Sequence, residues 1–151
     1  ISQGFLEGLA GWLDKSCDLA VCVAKHSERA EAGHVYLAPD KLHMGVTRDG
    51  RIALSDTPPE HSVRPSVSYL FRSVAREFGK KAVGVLLTGM GKDGSDELKL
   101  IKDNGGITIA QDEASSIVHG MPGEAIKIGA AVHVLAPEMI AQTLKRLTQK
   151  G

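Results

Sequence analysis

Three observations predict a doubly wound α/β fold, with a mostly parallel sheet, helices on both faces and one antiparallel hairpin. From residue 82 onward, apolar runs of strand length alternate with amphipathic helical patterns, which right-handed crossovers turn into a parallel sheet. One such run, AVGVLL, opens directly into the glycine-rich turn TGMGKDG ahead of a helix, where α/β proteins place functional groups. Upstream, LHMGVT and RIALS alternate on either side of Asp49 and Gly50, a turn pair that favours a hairpin.

The elements follow in order. Phe5, Leu6, Leu9, Trp12 and Leu13 recur at helical spacing and predict a first helix. LAVCVA at 19–24 is a continuous apolar run bounded by Lys25, His26, Glu28, Arg29 and Glu31, and it reads as a buried strand. HVYLAP is a third short segment, followed by the hairpin over 42–55. The loop DTPPEHSVRPS ends at Ser66, a helix cap, and Val67, Leu70, Phe71, Val74 and Phe78 make one apolar stripe stopped by Gly79. Then come a strand at 82–87, a helix at 95–103 ended by Asn104 and Gly105, and a strand at 106–110. Helical turns at 114–129, a strand at 131–135 and a helix from Pro137 complete a Rossmann-like, three-layer arrangement.

Bulk composition narrows the function. With 151 residues, 42% hydrophobic and 24% charged, the chain reads as one soluble globular domain. Aromatic content of 4% argues against base stacking, and 18 basic against 18 acidic residues leave no global field for nucleic acid or an acidic membrane. Cys17 and Cys22 match neither a zinc pair nor a redox motif and are expected to be reduced, buried thiols. His26, His34, His43, His61 and His133 form no close ligand set, so no metal is expected. No apolar stretch approaches the roughly 20 residues of a membrane span, and the expected compartment is the cytoplasm. Residue 1 is an isoleucine that leads straight into the first helix, so the chain is expected to begin inside a longer protein.

On the residues alone, several readings of the central turn stay open. Gly89, Gly91 and Gly94 satisfy GxGxxG between a strand and a helix, and Asp112 ends the next strand where a ribose-binding acid belongs. That fits a dinucleotide-binding module, although the fingerprint normally opens its domain and here several elements precede it. Alternatively the glycines only permit a tight turn, and Asp93 caps the helix that follows. Ser115, Ser116 and His119 would, on a helix, bring a hydroxyl near an imidazole, but no strained nucleophile turn surrounds them. Arg64, in the RPS motif, is a candidate for contacting substrate or ordering the site, with packing at the helix entry as the competing role.

Taken together, TGMGKDG, ITIAQDEASSIVHGMPGEAI, HVYLAPDKLH and RPSVSYLFRSVA closely resemble the catalytic domain of the chemotaxis receptor methylesterases, the CheB family. The resemblance runs in order and without large gaps from Phe5 to the final helix. It implies hydrolysis of glutamyl methyl esters on methyl-accepting chemotaxis receptors, with glutamine deamidation in many members, by a serine, histidine and aspartate and without a cofactor. It puts the triad aspartate at Asp93 and gives Met90 the role of offering a backbone N–H to the oxyanion, a geometry that Gly91 permits. A Met90 side chain filling a gap under the turn is compatible with that role. The resemblance also implies that His119, Gly120 and Met121 line the substrate groove. Gly123 stands where many members have the arginine of MPREAI, which removes a cation.

The same resemblance implies segments that these 151 residues do not contain. The serine follows a central first strand, the histidine precedes the segment matching Ile1 to Phe5, and a receiver domain usually restrains the catalytic domain. The chain is therefore expected to be a partial catalytic domain, inactive alone, with strand edges left unpaired. Its expected partners are the receptors and the receiver domain of its parent. A dinucleotide-binding module through Gly89, Gly91, Gly94 and Asp112, or a non-catalytic interaction fragment, are the alternatives.

Overall fold

The computed structural model describes residues 4–148, so the predicted opening at Ile1 lies outside the described residues. The chain runs α1 (Leu6–Ser16), β1 (Ala20–Val23), β2 (His34–Leu37), β3 (His43–Val46), β4 (Ile52–Ser55) and α2 (Val67–Phe78). It continues through β5 (Val83–Leu86), α3 (Ser95–Asp103), β6 (Ile107–Gln111), α4 (Met121–Lys127), β7 (His133–Leu135) and α5 (Pro137–Thr148). The fold is the expected α/β class, with parallel strands, helices and the antiparallel hairpin.

Parallel pairing brings Ala20 opposite His34 in β1–β2, and Val83 opposite Ile107 in a second sheet of order β5-β6-β7. β3 and β4 form the hairpin, with His43 opposite Ser55. Among the described residues the parallel strands thus fall into two separately paired groups, and β2 and β5 each have one strand neighbour.

β6 lies centrally between β5 and β7, and its Thr108, Ile109, Ala110 and Gln111 are buried. Thr108 is tolerated there because its hydroxyl donates to Ala130 O at 2.6 Å and accepts from Val132 N–H at 3.1 Å, which fixes the approach to β7. Gly84 in β5 allows α3 to press close, since a Cβ at that position would lie 2.8 Å from Leu98 Cδ1. Phe71 and Ala75 of α2, Leu86 of β5, and Leu98 and Ile101 of α3 close the main core. A smaller cluster of Ala24, Met44 and Ile52 lies by the hairpin, and Leu70 touches both. α2 carries the predicted stripe and the predicted Ser66 cap, whose hydroxyl accepts from Tyr69 N–H at 3.4 Å.

α1 forms where the helical spacing predicts it, with Leu6 and Ala10 turned inward and Phe5 and Trp12 70% and 63% exposed, because β1 packs on one face of it. Two expectations need correction. Cys17 is exposed and Cys22 half-buried, though both are free thiols. The segment 112–120 is not helical, and α4 begins only at Met121. There Asp112 accepts from Ser115 N–H at 3.0 Å and from the Ser115 hydroxyl, local bonds that compete with helix formation. None of the described helices is long and apolar enough to cross a membrane.

Candidate active site

Asp93 sits in the turn between β5 and α3, 9% exposed, and its carboxylate is met from across the fold. Oδ1 accepts from Ser66 Oγ at 2.7 Å and Ser68 N–H at 3.0 Å, and Oδ2 accepts from Val67 N–H at 2.7 Å. These donors belong to the entry of α2, where unpaired amides and the positive end of the helix dipole favour an anion. Asp93 therefore caps α2, not the helix that follows it. α3 instead starts after Gly94, whose left-handed φ of +82° serves without a side-chain cap. A Cβ on Gly94 would lie 2.5 Å from Val67 Cγ1, so the glycine lets the turn close on α2. Ser68, fully buried, completes the joint by accepting from Gly94 N–H at 2.8 Å.

Burial alone would push the Asp93 carboxyl up. The hydrogen bonds from the Ser68 and Val67 amides and from the Ser66 hydroxyl outweigh it and hold the group below the ordinary 3.8. Asp93 is consequently a carboxylate at neutral pH. Removing a proton from a hydrogen-bonded imidazole is not its chemistry; orienting such a ring and stabilising it when charged is.

A second loop locks against the turn. Gly89 N–H donates to Val118 O at 3.0 Å, and Gly89 O accepts from Gly120 N–H at 3.1 Å and Met121 N–H at 2.9 Å. Thr88 Oγ1 adds bonds to both backbone groups of Val118, at 3.0 and 2.9 Å. The approach requires glycine at 120, where a Cβ would be 2.6 Å from Gly89 O and 2.9 Å from Gly91 N. Gly91 takes φ +84°, and the Met90 side chain is 83% exposed, so it fills no gap under the turn. Among the described residues the Met90 amide has no acceptor, and it is free to donate.

The remaining sequence candidates separate. Ser115 and Ser116 direct their hydroxyls to Asp112, Ser116 Oγ reaching Asp112 O at 2.6 Å, and neither bonds His119. Without a helix at 114–120 the spacing that suggested a serine and histidine pair has no physical basis. Asp112 is held below 3.8 first by the Ser115 hydroxyl. The His119 ring lies beside Gly123, where a Cβ would be 3.0 Å from its Nδ1, so the missing side chain leaves room for that ring. Two amides of the glycine fingerprint, those of Gly89 and Gly94, are committed to Val118 O and Ser68 Oγ. Arg64 Nη1 donates to Asp56 O at 2.7 Å and Thr57 O at 2.9 Å, which ties down the loop before α2.

An open cleft of about 350 Å³ joins these parts, with Ala38, Asp40, Lys41, Arg64, Asp93 and Met121 on its walls. Ala38 follows β2 and Asp93 follows β5, so the cleft lies beyond the C-terminal ends of parallel strands, where open α/β sheets bind ligands. Among the described residues no three histidine, cysteine or acidic side chains are grouped to hold a metal. His43 is the residue that sequence reasoning passed over: it is fully buried and hydrogen-bonded to Ser66, with no spacing signal to reveal it.

Fold and cleft together define a class, the doubly wound α/β domains with a buried, ionised carboxylate beyond the C-terminal edge of the sheet. The family model described as CheB methylesterase matches residues 1–144. The catalytic domain of Thermotoga maritima CheB methylesterase superposes with a TM-score of 0.92 at 35% identity, covering 97% of this chain and 79% of that one. Protein-glutamate methylesterase/protein-glutamine glutaminase 1 of Syntrophus aciditrophicus is 56% identical over 147 residues, which are 97% of this chain and 42% of the relative. Protein-glutamate methylesterase FrzG of Myxococcus xanthus is 47% identical over 144 residues, 95% of this chain and 43% of the relative. The chain belongs to the CheB methylesterase family, a family of enzymes, and corresponds to its catalytic domain. It spans less than half the length of these curated relatives.

Proposed function

We propose that this chain carries the acid member of a serine, histidine and aspartate triad, Asp93, in a protein that hydrolyses glutamyl methyl esters of chemotaxis receptors in the cytoplasm. The observation that carries the reading is the buried Asp93 carboxylate, held ionised by three donors on the wall of a cleft in a methylesterase-family domain. Its part is to accept a hydrogen bond from the histidine ring, fix the tautomer and stabilise the imidazolium as the serine attacks the ester carbonyl. The free Met90 amide, presented by the Gly91 turn, donates to the oxyanion that forms. Arg64, His119, Gly120 and Met121 border the groove that receives the receptor segment. Glutamine deamidation follows the same acyl-enzyme route with ammonia as the leaving group, and no cofactor enters.

The nucleophile and base belong to segments outside these 151 residues, as does the receiver domain that restrains the parent, and the chain alone is a partial catalytic domain without turnover. The test is methanol release from methyl-esterified receptor by this chain and by a version extended through the native strand and histidine. Release by the extended form alone supports the reading. Turnover by the unextended chain contradicts it, and silence from both forms favours a binding role.

A further inference from the structure

We propose that His43 is a positioning residue for Asp93, clamping the helix entry that supplies all three of the carboxylate's donors; the inference rests on the reading of Asp93 as the triad acid. His43 opens β3, is fully buried, and lies between two backbone groups of opposite sense. Its Nδ1 is 3.2 Å from Ser66 N and its Nε2 is 3.0 Å from Pro58 O. The Ser66 amide can only donate and the Pro58 carbonyl can only accept, so the Nε2–H tautomer alone satisfies both. The ring stacks on Tyr69 with centroids 4.7 Å apart and planes 11° from parallel, which fixes its orientation.

Ser66 is the joint of the assembly. Its N–H is held by His43 while its hydroxyl reaches Asp93 Oδ1, and the next two amides, of Val67 and Ser68, are the carboxylate's other donors. The loop on the far side of the imidazole is pinned at Asp56 and Thr57 by Arg64 and at Pro58 by His43. A purely apolar residue of similar shape would fill the space but leave the buried Ser66 N–H without an acceptor and Pro58 O without this donor. The arrangement therefore does more than fill the core: it transmits the position of a fixed loop, through one imidazole, to the groups that orient Asp93.

Two substitutions separate the halves of the clamp. His43→Asn places an amide oxygen near the Nδ1 position and keeps an acceptor for Ser66, whereas His43→Gln reaches toward Pro58 and leaves Ser66 N–H without one. With ¹³C-labelled aspartate, the Asp93 carboxyl is followed by NMR through an acid titration in the wild-type chain and both variants. The expected result is an Asp93 midpoint near wild type in H43N and raised by about half a pH unit or more in H43Q, a threefold or greater gain in proton affinity. Equal midpoints in wild type and H43Q, or a rise in H43N alone, overturns the proposal. Should H43Q fail to fold, the His43 ring nitrogens of the wild-type chain decide: a bare Nδ1 with a protonated Nε2 supports the clamp, and the reverse tautomer overturns it. Esterase activity plays no part in these readings, so a failure of the triad assignment is distinguishable from a failure of this one.

Discussion

Asp93→Asn tests the electrostatics of the turn without changing its shape. If the new amide nitrogen takes the Oδ2 position it faces Val67 N–H, donor against donor, and a buried amide loses its only acceptor, at a cost of about 1–3 kcal/mol. If it takes the Oδ1 position, Ser66 Oγ and Ser68 N–H suffer instead. The bonds that survive become neutral rather than charge-assisted, and the favourable interaction with the start of α2 is lost, which adds about 0.3–1 kcal/mol. The expected destabilisation at pH 7 is about 2–4 kcal/mol, read as a lower urea midpoint with an unchanged slope. Its pH dependence has a definite sign. The folded pKa of Asp93 is depressed below 3.8, so the wild-type advantage is fully present above that value and is lost as pH falls through the folded pKa. Wild type and variant should converge in acid. Equal midpoints at pH 7, or a gap that stays constant down through the acid range, would refute the assignment of Asp93 as an ionised cap of α2.

Three further substitutions test the surroundings. Gly120→Ala forces a Cβ to within 2.6 Å of Gly89 O, and should cost about 1–3 kcal/mol in urea while exposing the Met121 amide to faster hydrogen exchange. Thr108→Val leaves Val132 N–H without its side-chain acceptor and Ala130 O without its donor in the core, and a loss of about 1–3 kcal/mol in thermal or chemical unfolding is expected. Met90→Ala should change stability by no more than about 0.5 kcal/mol, since the side chain is 83% exposed; a larger loss would mean that the residue packs under the turn after all.

How far the sequence could be read depended on whether the relevant contact was local. The alternation of strands and helices after residue 82, the Asp49–Gly50 hairpin and the Ser66 cap all follow from short-range patterns, and each is present. TGMGKDG was legible as a glycine-rich turn between a strand and a helix for the same reason. What Asp93 does was not: its donors lie 25 to 27 residues away, and the local rule that an aspartate caps the next helix points to α3 instead of α2. Residues 114–129 read as helical turns, but Asp112 and Ser115 satisfy one another first and the helix begins only at Met121. The apolar stripe of α1 is real as a pattern, yet packing against one strand covers only Leu6 and Ala10. His43 gave no signal because its partners, Pro58 and Ser66, are joined to it only by the fold.

As the proposed triad acid, Asp93 would serve the chemical step and not the fold alone. Its most direct test is the kinetics of methanol release by the extended enzyme with and without Asp93→Asn, under conditions where both are shown to be folded. A triad acid would act on the histidine and not on the receptor segment, so kcat is expected to fall by about four orders of magnitude with KM little changed. A folded Asp93→Asn enzyme that retains kcat within a few-fold would contradict it.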